Sequence, residues 1–338
     1  MMFNFYGEKF MCDIVYILSP AHVATGGPEL LHQLCAELRN IGINAMMFYF
    51  NHKNKDVCPQ PDIYKKYNVP YTIEIYDNDN NAYIFPETAI DALTFVKKGK
   101  KYLWWLSVDM PYDRFIDIYS KANNQNEKRQ KLIYIIKMHS GVFQDGVIHL
   151  VQSEYARNHC QYLGISDDKI KYLGDYLRDE FIENALKTCE IEKQNMVAYN
   201  PKKGMEFTKK LISLAPDIEW IPLQGLTPDE MSLLLRSVKV YIDFGEHPGM
   251  DRIPREAAIS GCCVITGRKG AAAYHEDVPI LEKYKFDDNA ENVHYEVIAK
   301  IRDIFDNYEQ YTLDFDEYRE FIKNQKNKFK LDVRKIFG

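Results

Sequence analysis

The chain has 338 residues, 46% of them hydrophobic, which is long for one compact domain and supplies apolar surface for two ordinary cores without staples. Its formal net charge of −6, with acids and bases interspersed, excludes a dedicated nucleic-acid binder, because that work needs a positive field to displace counterions. Seven cysteines (Cys12, Cys35, Cys58, Cys160, Cys189, Cys262, Cys263) with no C-x-x-C pair exclude a disulfide framework and a zinc knuckle. A reducing, cytoplasmic setting is expected, with no export signal and no transmembrane helix in the sequence.

In chain order, short β-branched or apolar runs alternate with segments of helical period, the pattern of parallel sheets flanked by helices. Residues 13–19 predict a strand, 28–40 a helix and 44–49 a second strand. The helix is marked by Leu30, Leu31, Leu34, Cys35, Leu38 and Ile41 on one face, with Pro28 at its start. Residues 71–76 and 82–85 read as strands joined by the turn Asp77-Asn78-Asp79-Asn80-Asn81. Further strands are expected at 101–107, 132–138, 147–152 and 170–173, with a helix over 154–163. After a charged helical connection over 179–194 the pattern restarts: strands at 196–199, 219–223, 238–244 and 262–266, helices at 204–214, 228–237 and 254–260. From residue 290 onward the chain is charged and helix-forming.

The fold class expected is therefore α/β, with two Rossmann-like doubly wound domains. The first occupies 1–180, the second 181–310, and a helical tail over 311–338 packs back on the first. Open sheets of this kind bind ligands outside the carboxyl ends of their strands, so two domains facing a cleft direct attention to loops that follow strands.

Four loops qualify. Residues 19–28 carry Gly26-Gly27 before a helix, where amides attract anions, although the G-x-G-x-x-G and Walker spacings are absent and a tight turn explains the glycines equally. Residues 200–204 carry Lys202 and Lys203, suited to a diphosphate or to an ordinary surface turn. The segment 244–258 gathers Glu246, His247, Gly249, Asp251, Arg252, Arg255 and Glu256 ahead of a small-residue helix, a concentration of charge that is costly for folding alone. Glu256 stands near the third position of the expected helix, where Ile253 supplies no hydroxyl for a capping box, which favours a carboxylate facing a ligand. Residues 266–272 add Arg268 and Gly270 in a turn that fits a phosphate or needs no ligand at all.

The stretch from Asn200 to Ala272, with a lysine–glycine pair, a glutamate-bearing loop entering an E-A-x-x-x-G helix, then a strand and a Gly-rich turn, resembles the donor-binding half of the retaining GT-B glycosyltransferases. The first half is similar less sharply, through Gly26-Gly27, through His139 after a mid-domain strand, and through Trp104-Trp105-Leu106-Ser107-Val108-Asp109, a run similar to capsule or surface-polysaccharide members. The resemblance implies transfer of a sugar from a nucleoside diphosphate sugar to a glycan or lipid-linked acceptor, with retention and without a metal or other cofactor. It implies catalytic roles for His139, Lys203 and Glu246. Donor contacts would come from Gly26, Gly27, Lys202, Lys203, His247, Gly249, Arg252, Glu256, Arg268 and Gly270, with Lys203 on the diphosphate and Glu256 on the ribose. Glu246 and Glu256 are separated by nine residues where the family has seven, and the family's arginine before the lysine has no clear counterpart, a gap that Lys202 or Arg268 would fill.

Asp77-Asn78-Asp79 also matches the metal-binding D-x-D of the other, single-domain glycosyltransferase architecture, but its flanks read as a turn between strands. The basic runs Lys97-Lys98-Gly99-Lys100-Lys101 and 323–335 suit a peripheral contact with the inner membrane face, and solvated lysines explain them as well. Two other readings stay open: a non-hydrolysing sugar-nucleotide epimerase on the same plan, and a non-catalytic nucleotide-sugar-binding scaffold of a polysaccharide assembly complex.

Overall fold

The computed structural model describes residues 12–53, 56–123, 125–187 and 191–338. Cys189, with neighbouring residues of the expected connection, lies outside the described residues, as do residues 1–11. Two compact units divide the chain. Unit 1 takes the described residues up to Gln152 with Ala156–Gly174 and Lys328–Gly338, and unit 2 takes Ser153–Tyr155 and Asp175–Asn327. No described helix is long and apolar enough to cross a membrane.

Unit 1 is built on β1 (Val15–Pro20), α1 (Gly26–Asn40), β2 (Ala45–Phe50), β3 (Tyr71–Thr72), β4 (Ala82–Pro86), β5 (Lys100–Trp105), α2 (Met110–Ser120), α3 (Gln125–Ser140), β6 (Val147–Val151), α4 (Glu154–Tyr162, whose first residues belong to unit 2) and β7 (Ile170–Tyr172). Its sheet runs β3-β2-β1-β4-β5-β6-β7, every pairing parallel. Strands buried on both faces read as unbroken apolar runs, and Val15 to Leu18 and Ala82 to Phe85 are wholly buried. The helix α1 seats Leu30, Leu31, Leu34, Cys35 and Leu38 in the core, the face its spacing marked.

Two expectations fail here. Residues 132–138 are not a strand but the second half of α3, a 16-residue helix. The run Leu-Ile-Tyr-Ile-Ile carries strand propensity, yet it continues a polar segment of helical length, and length outweighs a short apolar run. The strand expected over 71–76 is reduced to Tyr71–Thr72 and pairs with β2, so β3 and β4 are not neighbours across a hairpin. The Asp77 carboxylate instead accepts the backbone amides of Lys97 and Lys98, both at 2.9 Å.

Unit 2 follows with α5 (Asp179–Ala185), β8 (Gln194–Tyr199), α6 (Met205–Leu214), β9 (Glu219–Pro222), α7 (Pro228–Ser237), β10 (Val238–Asp243), α8 (Arg252–Ile259), β11 (Cys263–Thr266), α9 (Val293–Asp306), α10 (Tyr308–Tyr311) and α11 (Asp316–Phe337), the last of which ends in unit 1. Its parallel sheet runs β11-β10-β8-β9. The strand order reverses between β8 and β10, so the loops after these two strands flank the switch point where such sheets bind ligands. A capping box starts α7, with Thr227 and Glu230 exchanging side-chain and backbone bonds and Pro228 in the first turn. Among the tail lysines, Lys323 pairs with Glu320 and Lys328 with Asp332 along α11, and Lys326 pairs with Asp179 of α5.

Candidate functional site

Two glycines bring the loops at the unit 2 switch point into contact. Gly204, between β8 and α6, has φ +58°, and a Cβ there would stand 2.5 Å from the Phe244 carbonyl carbon at the end of β10. Gly245 faces it, and a Cβ on Gly245 would collide with that of Lys203. The backbones can cross this closely only without side chains. A third loop joins them: Gly270, φ +55°, presses on the His247 carbonyl, which accepts the Ala271 amide at 2.8 Å.

This crossing places the Lys203 ammonium 2.6 Å from Asp251 Oδ2 and 3.2 Å from the Glu246 carbonyl oxygen. Lys203 and Asp251 keep 30% and 22% of their side-chain surface exposed, so the pair lies at the rim rather than in the core. His247, 1% exposed, stands between two carboxylates, Nδ1 at 3.3 Å from Asp251 Oδ2 and Nε2 at 3.6 Å from Asp243 Oδ1. Asp243 also accepts the Tyr241 hydroxyl at 2.8 Å and the Gly245 amide at 3.0 Å. Burial, with the charges of Asp243, Asp251 and Glu256 after it, holds the Tyr241 hydroxyl protonated well above its ordinary range, so Glu256 shares the field of this cluster. Lys269 bridges Asp288 at 3.2 Å and Glu246 at 3.4 Å. Burial alone would lower its pKa, but these two carboxylates raise it.

Behind the rim Arg255, 1% exposed, spends its guanidinium on neighbours in unit 2. It donates to Asp175 Oδ2 at 2.8 Å, to Gln325 Oε1 at 2.9 Å, and to the Met250 and Asp251 carbonyls at 2.7 and 3.1 Å, with Nη1 forming an ion pair 2.6 Å from Asp175 Oδ1. Its bonds to the two carbonyls fix the loop before α8 and with it the Asp251 backbone. Because α8 opens at Arg252 rather than Pro254, Glu256 is its fifth residue, half-buried and beyond the reach of a capping box.

The remaining sequence candidates fall as follows. Lys202 is exposed, its amide on Asn200 Oδ1 at 3.0 Å. Gly249 accepts the Asp251 amide at 3.0 Å, and Arg252 is the half-buried first residue of α8. Arg268 pairs with Glu282 at 2.6 Å, both exposed. In unit 1 Gly26 and Gly27 open α1 after β1, beside that sheet's own reversal between β1 and β4, with Leu106 packed under Gly27. His139 does not follow a strand. It lies in the last turn of α3 among the rings of Tyr112, Phe115 and Phe143, and burial lowers its pKa.

Asp243 and Asp288 carry no signal in the sequence, Lys269 stands there only as a cation of the phosphate-suited turn, and Asp251 and Arg255 are marked only by the charge of their loop. Lys193 carries no signal either, as part of the expected connection. That side chain is half-buried, with its ammonium on the carbonyls of Leu235, Val238 and Ser260 at 2.9, 2.8 and 2.9 Å, at the carboxyl ends of α7 and α8. Asp243, His247 and Asp251 together offer one ligand atom each within 4.8 Å of one another, a set that suits a divalent cation; in this arrangement the Lys203 ammonium already stands on Asp251.

Two parallel-sheet units with these reversals define the GT-B fold of glycosyltransferases. Anabaena HepE, solved in complex with UDP-glucose, is similar over 96% of this chain and 98% of its own, with a TM-score of 0.60 at 8% identity. Sucrose-phosphate synthase from Thermosynechococcus elongatus matches over 96% and 98%, with a TM-score of 0.61 at 11% identity. WaaG, a glycosyltransferase involved in lipopolysaccharide biosynthesis, matches over 94% and 98%, with a TM-score of 0.54 at 10% identity. No protein-family model matches the sequence, and no curated protein is similar to it at the level of sequence.

Proposed function

We propose that the chain is a glycosyltransferase that moves a sugar from a nucleoside diphosphate sugar to a glycan or lipid-linked acceptor, with retention and without a metal, in surface polysaccharide synthesis at the inner face of the membrane. The observation that carries this reading is the meeting of Lys203 with the loop after β10 at the switch point of unit 2, with the loop after β11 packed against that loop at His247. A leaving diphosphate develops charge that must be stabilised where water is scarce. Lys203 meets that charge, Lys269 stands beside it on Glu246, and the half-buried Glu256 on α8 takes the ribose hydroxyls. Gly26 and Gly27 admit a ligand close to the backbone at the start of α1. His139, held among aromatic rings, serves packing.

Incubating the purified chain with uridine, guanosine and adenosine diphosphate sugars tests this reading. One donor should release its nucleoside diphosphate, unaffected by a chelator, and Lys203→Ala should slow release about 10²- to 10³-fold. Donor converted to its epimer without acceptor would make the chain an epimerase. Binding without turnover would make it a scaffold.

A further inference from the structure

The ammonium assigned to the diphosphate already rests against a carboxylate, and the two partners differ in their freedom to move. Asp251 is fixed: its carbonyl accepts from Arg255 Nε at 3.1 Å, its amide donates to Gly249 at 3.0 Å, and His247 Nδ1 stands 3.3 Å from its Oδ2. Lys203 ends in a compact charge on a flexible four-carbon stem, held otherwise by the Glu246 carbonyl alone among the bonds described for it. An anion reaching this rim moves the lysine and leaves the aspartate in place. The surroundings are not a simple cationic cradle either. The loops set four carboxylates, Asp243, Glu246, Asp251 and Asp288, against the two ammoniums of Lys203 and Lys269.

We propose that Asp251 is a positioning residue that competes with the diphosphate for the Lys203 ammonium. It keeps the lysine aimed across the β8–β10 reversal, and it weakens the hold on the nucleoside diphosphate so that the product leaves. The proposal rests on the reading above in which Lys203 meets the diphosphate.

Calorimetric titration with uridine, guanosine and adenosine diphosphates tests it on the wild-type chain, Asp251→Asn, Asp251→Glu, Lys203→Ala and the Asp251→Asn/Lys203→Ala double variant, each checked for native folding by circular dichroism. Removing the competing charge should tighten binding about three- to tenfold, with slower release in stopped flow. Asp251→Glu should return the affinity to within about twofold of wild type, and in the Lys203→Ala background Asp251→Asn should have little effect, because the two act as one unit. A residue that merely braced the loop would give weaker binding when replaced. Unchanged or weaker binding by folded Asp251→Asn overturns the proposal, as does an equal gain without Lys203. Binding that requires Mg²⁺ or Mn²⁺ and is lost in Asp251→Asn also overturns it, by making Asp243, His247 and Asp251 a metal site. If neither wild type nor Asp251→Asn binds any of the three diphosphates, the donor reading falls together with it.

Discussion

Unit 1 and unit 2 share a parallel-sheet plan but differ in the polar side chains that each gathers. Unit 1 holds neutral imidazoles: buried His32 spans the Pro28 carbonyl and the Tyr49 hydroxyl at 2.6 Å each, buried His149 accepts from Trp105 Nε1 at 3.2 Å, and half-buried His159 meets the Tyr112 hydroxyl at 2.9 Å. Unit 2 gathers charged groups instead, in the buried Arg255 against Asp175, in the Lys193 ammonium on its carbonyls and, at the rim, in Lys203 on Asp251. Neutral, fully bonded groups specify a core, whereas ions near a switch point are poised for a charged ligand. The contrast agrees with the proposed placement of binding chemistry in unit 2 even though histidines are more frequent in the buried heart of unit 1.

The contrast can be broken most forcefully at Arg255. Arg255→Ala strands the Asp175 carboxylate and frees the loop before α8, at a cost of about 3–5 kcal/mol. Hydrogen exchange should show that loss in unit 2 amides while unit 1 stays protected. Gly204→Ala comes next, about 2–3 kcal/mol by thermal melting, from a left-handed φ and a Cβ driven into the β10 turn. It should also weaken nucleotide binding by pushing Lys203 off the rim.

Acid should act on the other unit. Burial lowers the pKa of His32, His149 and His159 to about 4 from an ordinary 6.5, so between these values the unfolded chain binds protons that the folded chain refuses. Stability is then lost as pH falls through that window and is retained above it. Glu87 opposes this, since burial raises its carboxyl to about 7 and protonation relieves that cost as pH falls. Three histidines outweigh one glutamate, and unit 1 should lose on the order of 1 kcal/mol per pH unit between pH 6.5 and 4.5. Chemical denaturation across that range reads it, and His32→Gln or His149→Gln should flatten the slope. The smallest effect falls on Arg268→Ala, whose exposed pair with Glu282 is worth about 0–1 kcal/mol, so melting and nucleotide affinity should both stay near wild type.

What was legible in the sequence follows from range. Local patterns marked the α1 face, the bounds of α7 and most strands to within a residue or two, because burial on both sides of a parallel sheet leaves continuous apolar runs. Propensity misled at α3, where β-branched residues are carried inside a long helix. The loop after β10 stood out by charge density alone, but which of its carboxylates meets Lys203 depends on Gly204 and Gly245 crossing, a contact more than forty residues apart. Lys193 was hidden for the same reason, since its partners are carbonyls at two helix ends that no side-chain spacing betrays.

The most direct test is an amide hydrogen-exchange footprint of the chain saturated with the nucleoside diphosphate it binds best. Residues 200–204, 245–251 and 267–272 should slow together, and that protection should disappear in Lys203→Ala. Protection confined to the loops of unit 1, with these three segments exchanging as before, would contradict the assignment of the donor site.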